Sequence, residues 1–99
     1  MLNESKKVLI IDDDTDLREI FSSNLELDGY NVAQAENGRV ALDLLERLET
    51  SAYPDCIVLD LMMPVMDGNS FLKALNSPQW EKFNQICVML SAQALKLTN

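Results

Sequence analysis

Asp60 stands directly after the apolar run Cys56-Ile57-Val58-Leu59, and Asp12, Asp13 and Asp14 stand directly after Val8-Leu9-Ile10-Ile11. Carboxylates placed where a buried strand opens into a loop can ligate a hard cation or attack an electrophile. A single acid in such a position often only caps the following helix, and Asp14 or Asp16 suits that role. Several acids meeting at one sheet edge call for more, because like charges at short range destabilise one another unless a cation joins them. A hard divalent ion is the natural partner, and Mg²⁺ suits a site with few carboxylates and several retained waters.

The elements that must position these acids are legible from periodicity. A first strand at Lys7–Ile11 is followed by a helical pattern from about Asp16, with Leu17, Ile20, Phe21 and Leu25 as its core stripe and Gly29 as its stop. A short strand at Asn31–Ala35 leads through Glu36-Asn37-Gly38 into a second helix with Val40, Ala41, Leu44, Leu45 and Leu48 on its apolar face. The Ser51–Asp55 turn, the Cys56–Leu59 strand, a loop to Gly68 and a shorter helix with Phe71, Leu72 and Leu75 follow, and Ile86–Leu90 is the last clear strand. Strands alternating with helices imply right-handed βαβ units in one doubly wound parallel α/β sheet, whose ligands sit beyond the carboxyl ends of the strands. The four strand-end acids are therefore expected to converge. Cys56 and Cys87 fall four residues before Asp60 and Ser91, so on neighbouring strands they would lie level, as small buried hydrophobes or, less simply, a disulfide.

Composition narrows the function. The 99 residues suit one domain with a modest core, and the net charge of −8 disfavours nucleic acid or an anionic membrane as a direct partner. No apolar stretch approaches the roughly 20 residues that span a bilayer, and the N-terminus is not built like a signal peptide, so a cytoplasmic protein is expected. Asp12, Asp14 and Asp16 imitate the start of a calcium loop, but Leu17 replaces its turn glycine and Ser23 its bidentate glutamate. No glycine-rich phosphate cradle is present, and without histidine there is neither a Ser-His-Asp system nor a His-ligated zinc site. The D-x-D-x-[TV] signature of haloacid-dehalogenase-type phosphohydrolases is missing at both acid-tipped strands.

The chain resembles the receiver domain of two-component response regulators, with a layout similar to the chemotaxis single-domain receiver. The resemblance rests on Val8-Leu9-Ile10-Ile11-Asp12-Asp13-Asp14, Ala35-Glu36-Asn37-Gly38 with Ala41-Leu42, Pro54-Asp55, Asp60 through Gly68, and Leu90-Ser91-Ala92. It implies a flavodoxin-like sheet of order 2-1-3-4, with a fifth strand missing from residues 1–99, and hence a receiver domain incomplete at its C-terminus. By the same resemblance Asp60 accepts a phosphoryl group from a histidine kinase or histidine phosphotransfer protein. Asp12, Asp13 and Asp60, together with the backbone carbonyl of Met62, hold Mg²⁺, and Asp13 is the direct ligand of the acid pair. Ser91 turns its hydroxyl toward the phosphoryl group, while Pro64 stiffens the loop and Gly68 permits its turn.

The resemblance makes the chain a phosphoacceptor signalling domain rather than a conventional enzyme. The lysine that the family carries at the end of its fifth strand has no counterpart, since Lys96 is only five residues past Ser91. An unpaired fourth strand implies self-association through that edge, and the alternative function is an interaction module that never uses phosphate.

Overall fold

The computed structural model describes residues 6–60, 66–83 and 86–90. Four parallel strands form one sheet of order β2-β1-β3-β4, with β1 at Lys7–Ile11, β2 at Asn31–Ala35, β3 at Cys56–Leu59 and β4 at Cys87–Leu90. Helices α1 (Thr15–Leu27), α2 (Gly38–Arg47) and α3 (Gly68–Leu75) connect them, with 3₁₀ segments at Thr50–Ala52 and Pro78–Phe83. The order 2-1-3-4 agrees with the expected topology, and the last strand starts one residue later than periodicity suggested.

β1 reads as an unbroken apolar run because it lies between two strands and is covered on both faces. Val8, Leu9, Ile10 and Ile11 are all buried. β2, at the sheet edge, buries only Ala35 completely. The main core lies on the α2–α3 face, where Leu9, Ile11, Ile57 and Leu59 meet Leu45 and Phe71. Phe83 extends this core between Tyr53 and Trp80, at ring-centroid distances of 4.7 and 5.5 Å. The Pro78–Phe83 segment was not foreseen. Its buried Trp80 and Phe83 are three residues apart, which is one 3₁₀ turn, and Pro78 opens the segment.

Two apolar stripes require correction. In α2 the buried residues are Gly38, Ala41, Leu42 and Leu45, whereas Val40 is exposed and Leu44 and Leu48 lie at the margin. Apolar residues surround much of this helix, so periodicity alone left its inward face open, and contact with the sheet chose it. In α1 the expected core residues are mostly half-buried, and Ile20 is 58% exposed; only Ser22 is fully buried. This helix packs against β1 and β2 outside the main core, through a face that also includes Arg18. On β3, Cys56 and Val58 point away from the main core and are likewise half-buried.

Local chemistry fixes the helix ends. Asp14 caps α1 by accepting a hydrogen bond from the Leu17 amide at 3.1 Å, which settles the choice between Asp14 and Asp16. The helix closes with Gly29 at φ +97°, where the Gly29 and Tyr30 amides donate to the Glu26 and Leu25 carbonyls. That Schellman arrangement confirms Gly29 as the stop. Asn37 caps α2 through the Val40 amide at 2.9 Å. Among the described residues of the loop before α3, the left-handed one is Met66, at φ +48°, and Gly68 does not adopt a positive φ. Gly68 is instead the buried first residue of α3.

Candidate functional site

Register brings the acids together. Ile11 is level with Ala35 on one side and with Leu59 on the other, so the next residue on each strand is also nearly level. The ladder continues one step beyond the strands: the Asp12 amide donates to the Ala35 carbonyl at 3.1 Å, and the Asp60 amide to the Ile11 carbonyl at 3.0 Å. Asp12 and Asp60 thus emerge side by side at the carboxyl end of the sheet. One carboxylate oxygen each from Asp12, Asp13 and Asp60 lies within 4.8 Å of the others. Asp12 and Asp60 are buried, at 2% and 0% exposure, while Asp13 faces solvent.

Of the four acids expected to converge, three do. Asp14 is withdrawn by its capping role, and its own amide donates to Asp12 Oδ1 at 2.9 Å, which turns the chain sharply after β1. Met62, Pro64 and Ser91 lie outside the described residues. Cys56 and Cys87 are register partners on β3 and β4, so the two positions are level as their spacing implied.

The donor set fits a hard divalent cation. Octahedral Mg²⁺ at about 2.0–2.1 Å from its ligands places ligand oxygens about 3 to 4 Å apart, and retained waters extend that reach. The three oxygens lie within 4.8 Å of one another, a separation that direct ligation together with retained water spans, and carboxylates favour a hard cation over a soft one. An exposed Asp13 beside two buried acids leaves one side of the cluster open to solvent and to an incoming group.

Sequence reasoning missed the residues that brace Asp12. Arg18 on α1 donates from Nη1 to the Asp12 carbonyl at 2.6 Å and from Nε to Gln34 Oε1 on β2 at 3.0 Å. A cation on the inward face of an otherwise acidic helix was the signal that could have found it. At the opposite end of the sheet, Asp55 receives the Lys7 amide at 2.8 Å and returns its own amide to the Lys7 carbonyl at 2.8 Å. Asp55 thereby sets the entry of β3 against β1, far from the acid cluster. An apolar cleft at that end, lined by Leu9, Ala33, Leu44, Leu48, Ala52 and Pro54, has no acid in its walls.

Asp67, at the far end of the loop that follows Asp60, caps α3 by accepting the Ser70 amide at 2.8 Å. The Ser70 backbone amide is the largest cause that holds the Asp67 carboxyl below its ordinary value of 3.8, with the Ser70 side chain and Lys73 adding to it. A lowered folded-state pKa means that the stabilising contribution is present above about pH 3.8 and is lost as pH falls through the lower folded value. Acid titration followed by circular dichroism is expected to show that Asp67→Asn removes this part of the pH dependence while leaving the helix capped. An unchanged acid limb would mean that other carboxylates set it.

Comparison with known proteins agrees with this arrangement. Residues 8–97 match the sequence profile of the family described as response regulator receiver domain. The response regulator MprA of Mycolicibacterium vanbaalenii is 42% identical over 71 residues, covering 72% of this chain and 29% of that protein. The transcriptional regulatory protein PrrA of Mycobacterium tuberculosis is 44% identical over 73 residues, covering 74% and 30%. The chain thus spans less than a third of the length of these curated relatives. Among solved structures, the receiver domain of the Francisella response regulator 1452 superposes with a TM-score of 0.72 at 34% identity, covering 89% of this chain and 67% of that one. The chemotaxis response regulator CheY4 of Vibrio cholerae gives 0.70 at 35% identity, with coverage of 86% and 68%. A profile match across nearly the whole chain, joined to a 2-1-3-4 parallel sheet with acids converging at its carboxyl edge, places this protein in the response-regulator receiver family.

Proposed function

We propose that the chain is the phosphoacceptor of a two-component phosphorelay, taking a phosphoryl group onto Asp60 from a histidine kinase or histidine phosphotransfer protein. Receivers are signalling domains that interact with histidine kinases, which gives the coarse role. The observation that carries the finer one is the meeting of buried Asp60 with Asp12 and Asp13 within 4.8 Å.

Asp60 provides the nucleophilic oxygen. As its O–P bond forms, the P–N bond of the donor phosphohistidine breaks and the imidazole leaves, so Asp60 ends as an acyl phosphate. Asp12, Asp13 and Asp60 hold Mg²⁺, with the Met62 carbonyl as a further ligand and Asp13 as the solvent-facing one. Bound there, Mg²⁺ neutralises the negative charge that otherwise keeps a carboxylate and a phosphoryl group apart. Ser91 is the hydroxyl that reads the phosphoryl group, and its movement is the switch. Among the described residues no helix is long and apolar enough to cross a membrane, which accords with a cytoplasmic site of action. Neither nucleic acid nor an anionic membrane is a direct partner in this reading, given the net charge of −8.

The test is a Mg²⁺ titration followed by beryllofluoride, a phosphoryl mimic, with NMR of the Asp12, Asp13 and Asp60 amides as readout. Saturable Mg²⁺ binding and a second, Mg²⁺-dependent shift on beryllofluoride are expected. A folded chain whose amides respond to neither overturns the reading.

A second reading is self-association as an interaction module, through the β4 edge. Its support is the position of β4 at the margin of the described sheet, together with the half-buried Cys56 and Val58 and the exposed Ile20 on the α1 side. Sedimentation equilibrium is expected to show concentration-dependent association in the micromolar range. A clean monomer there removes this reading and leaves phosphotransfer untouched.

A further inference from the structure

Asp12 is held at its amide, its carboxylate and its carbonyl, and the last of these belongs to the Asp12–Asp13 peptide. The Asp12 amide is bound to β2 through the Ala35 carbonyl, and the Asp12 carboxylate to the following turn through the Asp14 amide. The Asp12 carbonyl is bound to α1 through Arg18 Nη1 at 2.6 Å, the shortest of these contacts. Arg18 is in turn steadied by Gln34 on β2, which accepts from Nε at 3.0 Å. One half-buried guanidinium therefore ties α1, the end of β1 and the edge strand β2 together.

Peptide planarity gives this contact reach. The Asp12 carbonyl and the Asp13 amide belong to one rigid plane, so fixing the carbonyl oxygen fixes the direction in which the chain enters Asp13. Asp12 and Asp13 leave opposite ends of that plane, and both contribute an oxygen to the three-acid cluster. The planar guanidinium reaches the Asp12 carbonyl and Gln34 Oε1 from two nitrogens held in a fixed fork, whereas an ammonium offers its three donors from a single freely rotating point.

We infer that Arg18, steadied by Gln34, is a positioning residue for the metal site: it sets the Asp12–Asp13 peptide so that both carboxylates meet Asp60 in a geometry that binds Mg²⁺. This rests on the reading of the acid cluster as a Mg²⁺ site. Two physical effects of Arg18 oppose each other, and that makes the inference decidable. As a positive charge near three acids, Arg18 repels a dication, and its removal would tighten Mg²⁺ binding. As a brace it preorganises the ligands, and its removal weakens binding; outer contacts of this kind are typically worth about 10- to 100-fold in metal affinity.

The experiment compares Mg²⁺ dissociation constants, by NMR titration of the full chain, for wild type, Arg18→Ala, Arg18→Lys, Gln34→Leu and Asp13→Asn, with a urea midpoint for each. Arg18→Ala is expected to weaken Mg²⁺ by about tenfold, the lower end of that range, because Arg18 touches the backbone and not the carboxylate itself. Arg18→Lys, which keeps the charge, is expected to recover little of it. Gln34→Leu, a change at an exposed residue that leaves charge unaltered, is expected to shift affinity in the same direction by a smaller factor. It also keeps the test open if Arg18→Ala does not fold. Tighter or unchanged Mg²⁺ binding in Arg18→Ala and an unchanged constant in Gln34→Leu overturn the positioning role, as does full recovery by Arg18→Lys. Wild type that binds no Mg²⁺, or Asp13→Asn that binds as well as wild type, instead overturns the metal reading on which the role depends. If wild type binds and Asp13→Asn does not, a flat response from the Arg18 and Gln34 variants refutes the inference alone.

Discussion

Asp60→Asn is expected to reduce labelling from a phosphohistidine donor to background while the chain stays folded. The amide is nearly isosteric with the carboxylate, so the fully buried site at the end of β3 keeps its shape, and the Asp60 backbone amide still reaches the Ile11 carbonyl. What disappears is the nucleophile: an amide nitrogen has its lone pair delocalised into the carbonyl, and the remaining oxygen carries no full charge with which to attack phosphorus. The same exchange removes one of three negative charges from the cluster, so Mg²⁺ binding is expected to weaken in parallel. Label retained on the gel-separated protein measures the first half of this expectation and a Mg²⁺ titration the second, with circular dichroism as the folding control. A folded Asp60→Asn chain labelled to the wild-type extent would move the acceptor to another carboxylate, of which Asp13 is the exposed neighbour.

Phe71→Ala carries the largest expected loss of stability, about 3–5 kcal/mol. Phe71 is fully buried in the main core, on the helix that the Asp60 loop leads into, in the same cluster as Leu59, Leu45 and Leu75. Truncation removes the transfer free energy of the ring and leaves a cavity that sheet and helices can only partly close. In a domain of this size that is a large fraction of the total stability. Urea unfolding is expected to show a lower midpoint with the slope little changed, or a chain already unfolded in water. A loss below about 1 kcal/mol would mean that the core collapses around the gap or that the ring is less enclosed than its burial indicates. By contrast, Ile20→Ala on α1, at a residue 58% exposed, is expected to change little in the same measurement.

Much of this was legible in the residues. The unbroken apolar run of β1 was a reliable sign of a central strand, because only a strand covered on both faces can be apolar at every position. The glycine stop of α1 was equally plain, since a Schellman closure favours a residue free to adopt positive φ. The inward faces of α1 and α2 were not. In α2 apolar residues lie on more than one side of the helix, and in α1 the stripe with the right spacing is only partly covered. Periodicity shows that a face could be buried, and only a packed neighbour shows that it is. The loop turn at Met66 was missed because a non-glycine residue at positive φ leaves no compositional mark.

By itself the sequence determined which acids stand at strand ends, that the strands are parallel and joined by helices, and that the chain belongs to the response-regulator receiver family. Those are local properties, written in runs of a few residues and in the order in which they follow one another. Tertiary structure decided which of the acids meet. Asp12 and Asp60 are far apart along the chain and become neighbours only because β1 and β3 pair with Ile11 level with Leu59, while Asp14 leaves the cluster to cap α1. It also decided that Arg18 reaches the Asp12 carbonyl and that Gln34, from a different strand, steadies it. Contacts of this kind depend on strand register and on the rotation of a helix against its sheet, and both are fixed by long-range packing that no short stretch of sequence encodes.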